Sequence, residues 1–148
     1  MYGVLRRGVL IGVAVVALAV AGSAASAVQP PTKADALKFT RTYIYAYTHR
    51  HFRKVCYLAS PAYLQGRSVR ACAKQAKQNY DPTAKFWTAL RSGYEVTRST
   101  LTAGVLDGSP FWTYTMFFKS GKYRASLVVK LVRPSINLKY LSVASGSA

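Results

Sequence analysis

Acidic residues are scarce in this chain. Four Asp and Glu stand against 21 Lys and Arg in 148 residues, a formal charge of +17 at neutral pH. So large an imbalance repels itself, and the fold either tolerates the repulsion or meets a polyanion. Simple solubility with no specific anion is the plainer reading of the same charge. The shortage also empties the inventory for proton transfer, which needs a carboxylate or histidine in a pocket. Asp35 is accounted for at a helix start, Asp81 in a turn before Pro82 and Asp107 in an Asp-Gly turn. Only Glu95 lacks a structural role. Alternation sets it with Leu101 and Ala103 at the far end of the first strand, where a bulge would re-aim it, and a surface ion pair is its ordinary use.

Histidine is equally sparse. His49 and His51 are two apart, a spacing that points them to different sides of a helix, with no acid or thiolate ligand nearby in sequence. They read as a solvated basic turn rather than a metal site. There is no glycine-rich phosphate loop and no serine in a nucleophile elbow, so no cofactor and no metal are expected. Cysteine appears twice, as Cys56 and Cys72, and neither stands near the N-terminal apolar run, which sets a lipoprotein aside. In an exported protein a lone pair of cysteines is expected to close into a disulfide. Two free buried thiols are the alternative. A closed loop of this size is worth roughly 3 kcal/mol in the chain-entropy estimate, and no thiol then remains for catalysis.

What is present begins with an address. Arg6 and Arg7 precede the uncharged run Gly8 to Ala21, and Ala25-Ser26-Ala27 follows as a small-x-small site. That order predicts a signal peptide over residues 1–27, cleaved between Ala27 and Val28. The 14-residue apolar run falls short of the roughly 20 residues that span a bilayer, although an uncleaved single-pass membrane anchor remains the alternative. The arginine pair leaves both general and twin-arginine export open. Cleavage leaves 121 residues, one domain's worth, carrying 19 cations against 4 carboxylates and hence +15. Export also changes the expected counterpart. Nucleic acid is set aside, and an anionic envelope polymer, a lipid surface or an acidic protein takes its place.

Along the chain, Val28 to Thr32 form a stiff proline-bearing linker, and one domain occupies residues 33–143, with a frayed tail over 144–148. Thr32 caps a long helix from Lys33 to about Thr48, with Asp35 in the capping-box place and Ala36, Leu37, Phe39, Tyr43, Ile44 and Tyr47 on its apolar face. Short helices are predicted over Phe52–Ala59, from Ser60-Pro61 through Leu64, from Val69 to about Asn79 and over Ala84–Leu90. From Tyr94 the apolar period falls to two, which predicts an antiparallel meander with turns at Asp107 to Pro110 and at Ser120-Gly121. A Ser120-Gly121 loop pairs Lys119 with Lys122 and sets Phe118, Met116, Tyr114 and Trp112 opposite Tyr123, Ala125, Leu127 and Val129. The earlier turn sets Val105 opposite Trp112 and Leu101 opposite Met116. Both turns put the apolar residues on one face, and a one-residue slip would turn them all outward. The other face is rich in threonine, with Phe117, and would suit a homodimer. A fourth strand after Pro134 carries Leu138, Tyr140 and Val143.

The expected fold class is therefore α+β: a long N-terminal helix plus short helices packed on a curved antiparallel meander of about four strands. In that order the chain resembles the nuclear transport factor 2-like superfamily of cone-shaped domains, in its secreted bacterial branch. The resemblance is carried by Tyr43-Ile44-Tyr45-Ala46-Tyr47, by Lys54 through Pro61 with Cys72 following, and by the strands Gly121 to Ala125 and Lys139 to Val143. A cystatin-like helix on a meander is the nearest rival. The resemblance implies an apolar pocket between helix and sheet, with Tyr43, Tyr47, Trp87, Trp112, Tyr114 and Met116 as its candidate lining. The same six side chains filling a solid core is the competing reading.

Seven cations, Arg50, Arg53, Lys54, Arg67, Arg70, Lys74 and Lys77, fall in the short-helix region beside the cysteines. A disulfide joining those helices would gather them into one anion-binding patch. The sequence thus points to an exported, non-catalytic binding or assembly module at the cell envelope. An isomerase- or cyclase-like enzyme using Glu95 or a histidine is one alternative. A membrane-anchored component of a type IV secretion system, which would keep the leader, is another.

Overall fold

A computed structural model describes residues 28–147. The expected leader lies outside the described residues, as does Ala27 of its cleavage pair. Helix α1 runs Lys33–Thr48, and its start follows from a reciprocal cap. The Asp35 amide donates to Thr32 Oγ1 (3.1 Å) while the Thr32 amide donates to Asp35 Oδ2 (2.9 Å). The Thr32 amide and hydroxyl, both donating to the carboxylate, hold the Asp35 carboxyl below its ordinary range. Of the predicted stripe Ala36, Phe39, Tyr43 and Ile44 are buried and Leu37 and Tyr47 partly so, and Thr40, Ala46 and Thr48 are buried as well. The helix is covered on more than one side because α2 (Phe52–Tyr57) and α5 (Lys85–Ser92) both pack against it.

Helix α2 stops two residues short of the predicted Ala59. Leu58 to Ser60 leave the helix to pair with the last strand instead: the Tyr140 amide donates to the Leu58 carbonyl (3.0 Å) and the Ser60 amide to the Tyr140 carbonyl (2.9 Å). Ser60 then caps α3 (Pro61–Leu64), which ends at Gln65 and Gly66 with φ of 48° and 77°. Ser68 caps α4 (Val69–Gln78) in the same way.

Strands β1 (Glu95–Leu106), β2 (Ser109–Ser120), β3 (Tyr123–Val132) and β4 (Lys139–Ser147) form a curved antiparallel sheet in sequential order. The five helices pack on it, and the protein is α+β. The tail expected from Ala144 is a correction: β4 continues through Ser147, which pairs with Ala125. The expected registers are also corrected, both by two residues. Asp107-Gly108 is the first loop, both residues at positive φ as a type I′ hairpin needs, so Trp112 faces Ala103 rather than Val105. Gly121-Lys122 is the second loop, and Trp112 faces Leu131 rather than Val129. A shift of two conserves the face, since strand side chains alternate with that period. Trp112, Tyr114, Met116 and Phe118 all point inward, as expected, against Leu127, Val129 and Leu131.

The main core lies between this face and α1 and α5. A second, smaller core of Phe52, Cys56, Cys72 and Ala73 joins α2 to α4. At its centre Cys56 and Cys72 form the expected disulfide, with Cα atoms 6.0 Å apart. Among the described residues no helix is long and apolar enough to cross a membrane.

Candidate functional site

Where α1 passes α3, α4 and β4 the packing leaves a cavity of about 600 Å³. Its aromatic wall is built by spacing. Tyr43 and Tyr47, one helical turn apart, stack with ring centroids separated by 6.0 Å, and Trp87 of α5 closes on Tyr47 at 4.3 Å. Tyr140 of β4 meets Tyr43 edge to face at 5.3 Å and Tyr63 of α3 at 4.7 Å. The disulfide also lines it, and the amides of Gln65, Gln75 and Asn79 supply neutral polar groups.

Among the described residues Arg67 is the one charged residue on these walls. The turn after α3 places it. Its Nε donates to the Leu64 carbonyl (3.0 Å), Nη2 to the Tyr63 carbonyl (3.1 Å) and Nη1 to Gln75, and the guanidinium lies 5.9 Å from the Tyr63 ring centroid. All these partners are neutral. Glu95–Lys119 is the one ion pair among the described residues, so the Arg67 charge is held in position without a carboxylate against it. Burial raises the phenols of Tyr43, Tyr47 and Tyr140 above their ordinary value, and for Tyr140 the Tyr63 hydroxyl adds to the rise. These groups stay protonated at neutral pH, as hydrogen-bond donors. A guanidinium, neutral donors and stacked rings can hold an anion attached to a flat or apolar body.

The six candidate lining residues divide. Tyr43, Tyr47 and Trp87 face the cavity. Trp112, Tyr114 and Met116 are buried in the main core and do not line it, so the solid-core reading fits that half. Sequence reasoning missed Tyr63, Tyr140 and the three amides. The Leu138-Tyr140 strand pattern marked Tyr140 as inward-facing, but α3 gives no periodicity from which Tyr63 could be read.

The seven candidate cations are all exposed, and they do not line one opening. Arg70, Lys74 and Lys77 share a stripe of α4, four and three residues apart. Arg67 turns to the cavity, and Arg50 lies over the Tyr80 ring at 5.4 Å. Arg53 stays on α2, whereas Lys54 joins Lys38, Arg133 and Lys139 around a different groove.

The acid–base candidates sit elsewhere. A bulge between Val96 and Arg98 inserts one residue and turns Glu95 to the outer face, where it pairs with Lys119 at 3.0 Å. His49 is exposed, stacked on Tyr45 with its Nδ1 2.9 Å from the Tyr45 carbonyl, and His51 is exposed beside it. Neither lines the cavity. On the outer sheet face Arg98 and Lys130 lie over Phe117 and Phe111 among the threonines. Comparison with family models, curated proteins and solved structures found no match to this chain.

Proposed function

We propose that this chain is an exported, non-catalytic binding or assembly module of the cell envelope, a nuclear transport factor 2-like domain that takes an anionic group of its partner into the cavity. The observation that carries the reading is Arg67, the one charge among the described lining residues, which are otherwise aromatic, aliphatic and neutral polar side chains with the disulfide. A positive domain attracts anions over its whole surface, and a held guanidinium on the wall of a concave site gives that attraction a specific end point. The alternative enzyme needs a carboxylate or imidazole at the cavity, and among the described lining residues there is neither. Element order, long helix first and meander last, supports the family reading. The order of basic, apolar and small-residue regions supports export.

The test is a titration of the chain starting at Val28 with naphthalenesulfonate and with the neutral naphthalenemethanol, followed by tryptophan emission. The sulfonate binds and perturbs Trp87, and Arg67→Gln weakens it about tenfold, as expected for losing a charge-assisted bond. Equal binding of both compounds, or an Arg67→Gln variant that binds the sulfonate as well as the parent, overturns the assignment.

A further inference from the structure

A second opening lies between α1, α2 and the loop from β3 to β4, and it shares no lining residue with the cavity. We propose that this groove docks the protein on a membrane rich in anionic lipid. Lys38 of α1, Lys54 of α2, Arg133 after β3 and Lys139 of β4 line it, with one acid, Asp35, whose carboxylate is already engaged by Thr32. Two of the cations are held in place: Lys139 Nζ donates to the Tyr57 carbonyl, and Arg133 Nη1 donates to the Gln29 carbonyl at 2.9 Å.

Charge alone would suit any polyanion. Ile136 argues for lipid. It stands in the loop between Ser135 and Asn137 and is 88% exposed, the most exposed large apolar side chain among the described residues, with Tyr57, 57% exposed, lining the same groove. An isoleucine held in water at the tip of a short loop gains nothing from a soluble polyanion, which offers no apolar phase. An anionic leaflet offers both a negative surface for the cations and an acyl boundary for Ile136, with Tyr57 suited to the headgroup level between them. The Arg133–Gln29 bond also sets Gln29 beside the groove.

Co-sedimentation of the chain from Val28 with vesicles tests this. The protein sediments with phosphatidylglycerol–phosphatidylcholine vesicles and stays in solution with phosphatidylcholine alone. Lys54→Gln lowers the partition coefficient about fivefold, and Ile136→Ser lowers it about tenfold. Both positions are exposed, so neither substitution threatens the fold. Lys85→Gln removes the same charge from a residue outside the groove and changes partitioning less than Lys54→Gln does. The proposal is overturned if the two vesicle types bind alike, if Lys85→Gln costs as much as Lys54→Gln, or if Ile136→Ser binds as well as the parent. The last result would make the groove a site for soluble polyanions.

Discussion

The rings of Tyr43 and Tyr140 meet edge to face, 5.3 Å between centroids, and so join the first helix of the domain to its last strand. The contact stands at a junction. The Tyr140 backbone exchanges hydrogen bonds with Leu58 and Ser60, and its ring also meets Tyr63. One residue therefore ties β4 to α1, α3 and the α2–α3 connection while forming part of the cavity wall.

Tyr140→Ala should cost about 3–5 kcal/mol, the range for truncating a large buried aromatic. Tyr140→Phe keeps the ring contacts and removes only the hydroxyl beside Tyr63, and should cost less than about 1.5 kcal/mol. Denaturant unfolding measures both. An equal loss in the two variants would mean that the hydroxyl, not the ring, is what the junction needs.

The tyrosines also give the fold a pH dependence of known sign. Tyr43, Tyr47, Tyr94 and Tyr140 are all raised above the ordinary value of 10.0, in each case mainly by burial. A raised folded value means that the contribution to stability is complete below pH 10 and is lost as the pH climbs through the folded values. Absorbance titration of the phenolates should show one group of tyrosines ionising near the ordinary value and a late group that ionises together with unfolding. Tyr43→Phe, which removes one buried phenol, should shrink the late group. A single transition near the ordinary value would contradict the burial of these four.

Much of this architecture is legible in the sequence, and the boundary of legibility is physical. Thr32, Ser60 and Ser68 mark three helix starts because a capping side chain acts within three residues of itself. The inward face of the meander is legible for a similar reason, since alternation is local. Register is not. Moving the loop from Ser120-Gly121 to Gly121-Lys122 changes every partner and leaves every face unchanged, so the hydrophobic pattern cannot tell the two apart. Glu95 shows the converse: one bulge residue before Arg98 flips its face without altering the local pattern. The cavity was the least legible part. Tyr63, Gln75 and Tyr140 come from three elements, and only their packing shows that they converge. The same holds for the cations. Lys38 and Lys139 are a hundred residues apart in sequence, yet they line one groove with Lys54, whereas Arg67 and Lys54, much nearer in sequence, line different openings.

The disulfide makes the last prediction, and it separates site from scaffold. Cys56 and Cys72 close a loop with a sequence separation of 16, for which loop entropy gives about 3 kcal/mol. Their small core is separate from the main one: Phe52, Cys56, Cys72 and Ala73 join α2 to α4, while α1, α5 and the sheet hold the larger cluster. Reduction should therefore loosen α4 first. Tyr47, Leu64, Val69, Ala76 and Tyr80 are the other apolar supports of that core, all of them only partly buried. Because Gln75, Ala76 and Asn79 line the cavity, and Gln75 receives the Arg67 guanidinium, a loosened α4 opens the wall that orients the charge. The Cys56→Ala/Cys72→Ala variant should lose about 3 kcal/mol in denaturant unfolding. It should also lose naphthalenesulfonate binding under conditions where circular dichroism still shows the sheet intact. Hydrogen exchange would place the earliest loss of protection in α4, ahead of β2 and β3. If exchange instead rises evenly across the sheet and the helices, the two cores unfold as one unit and the disulfide serves the whole domain.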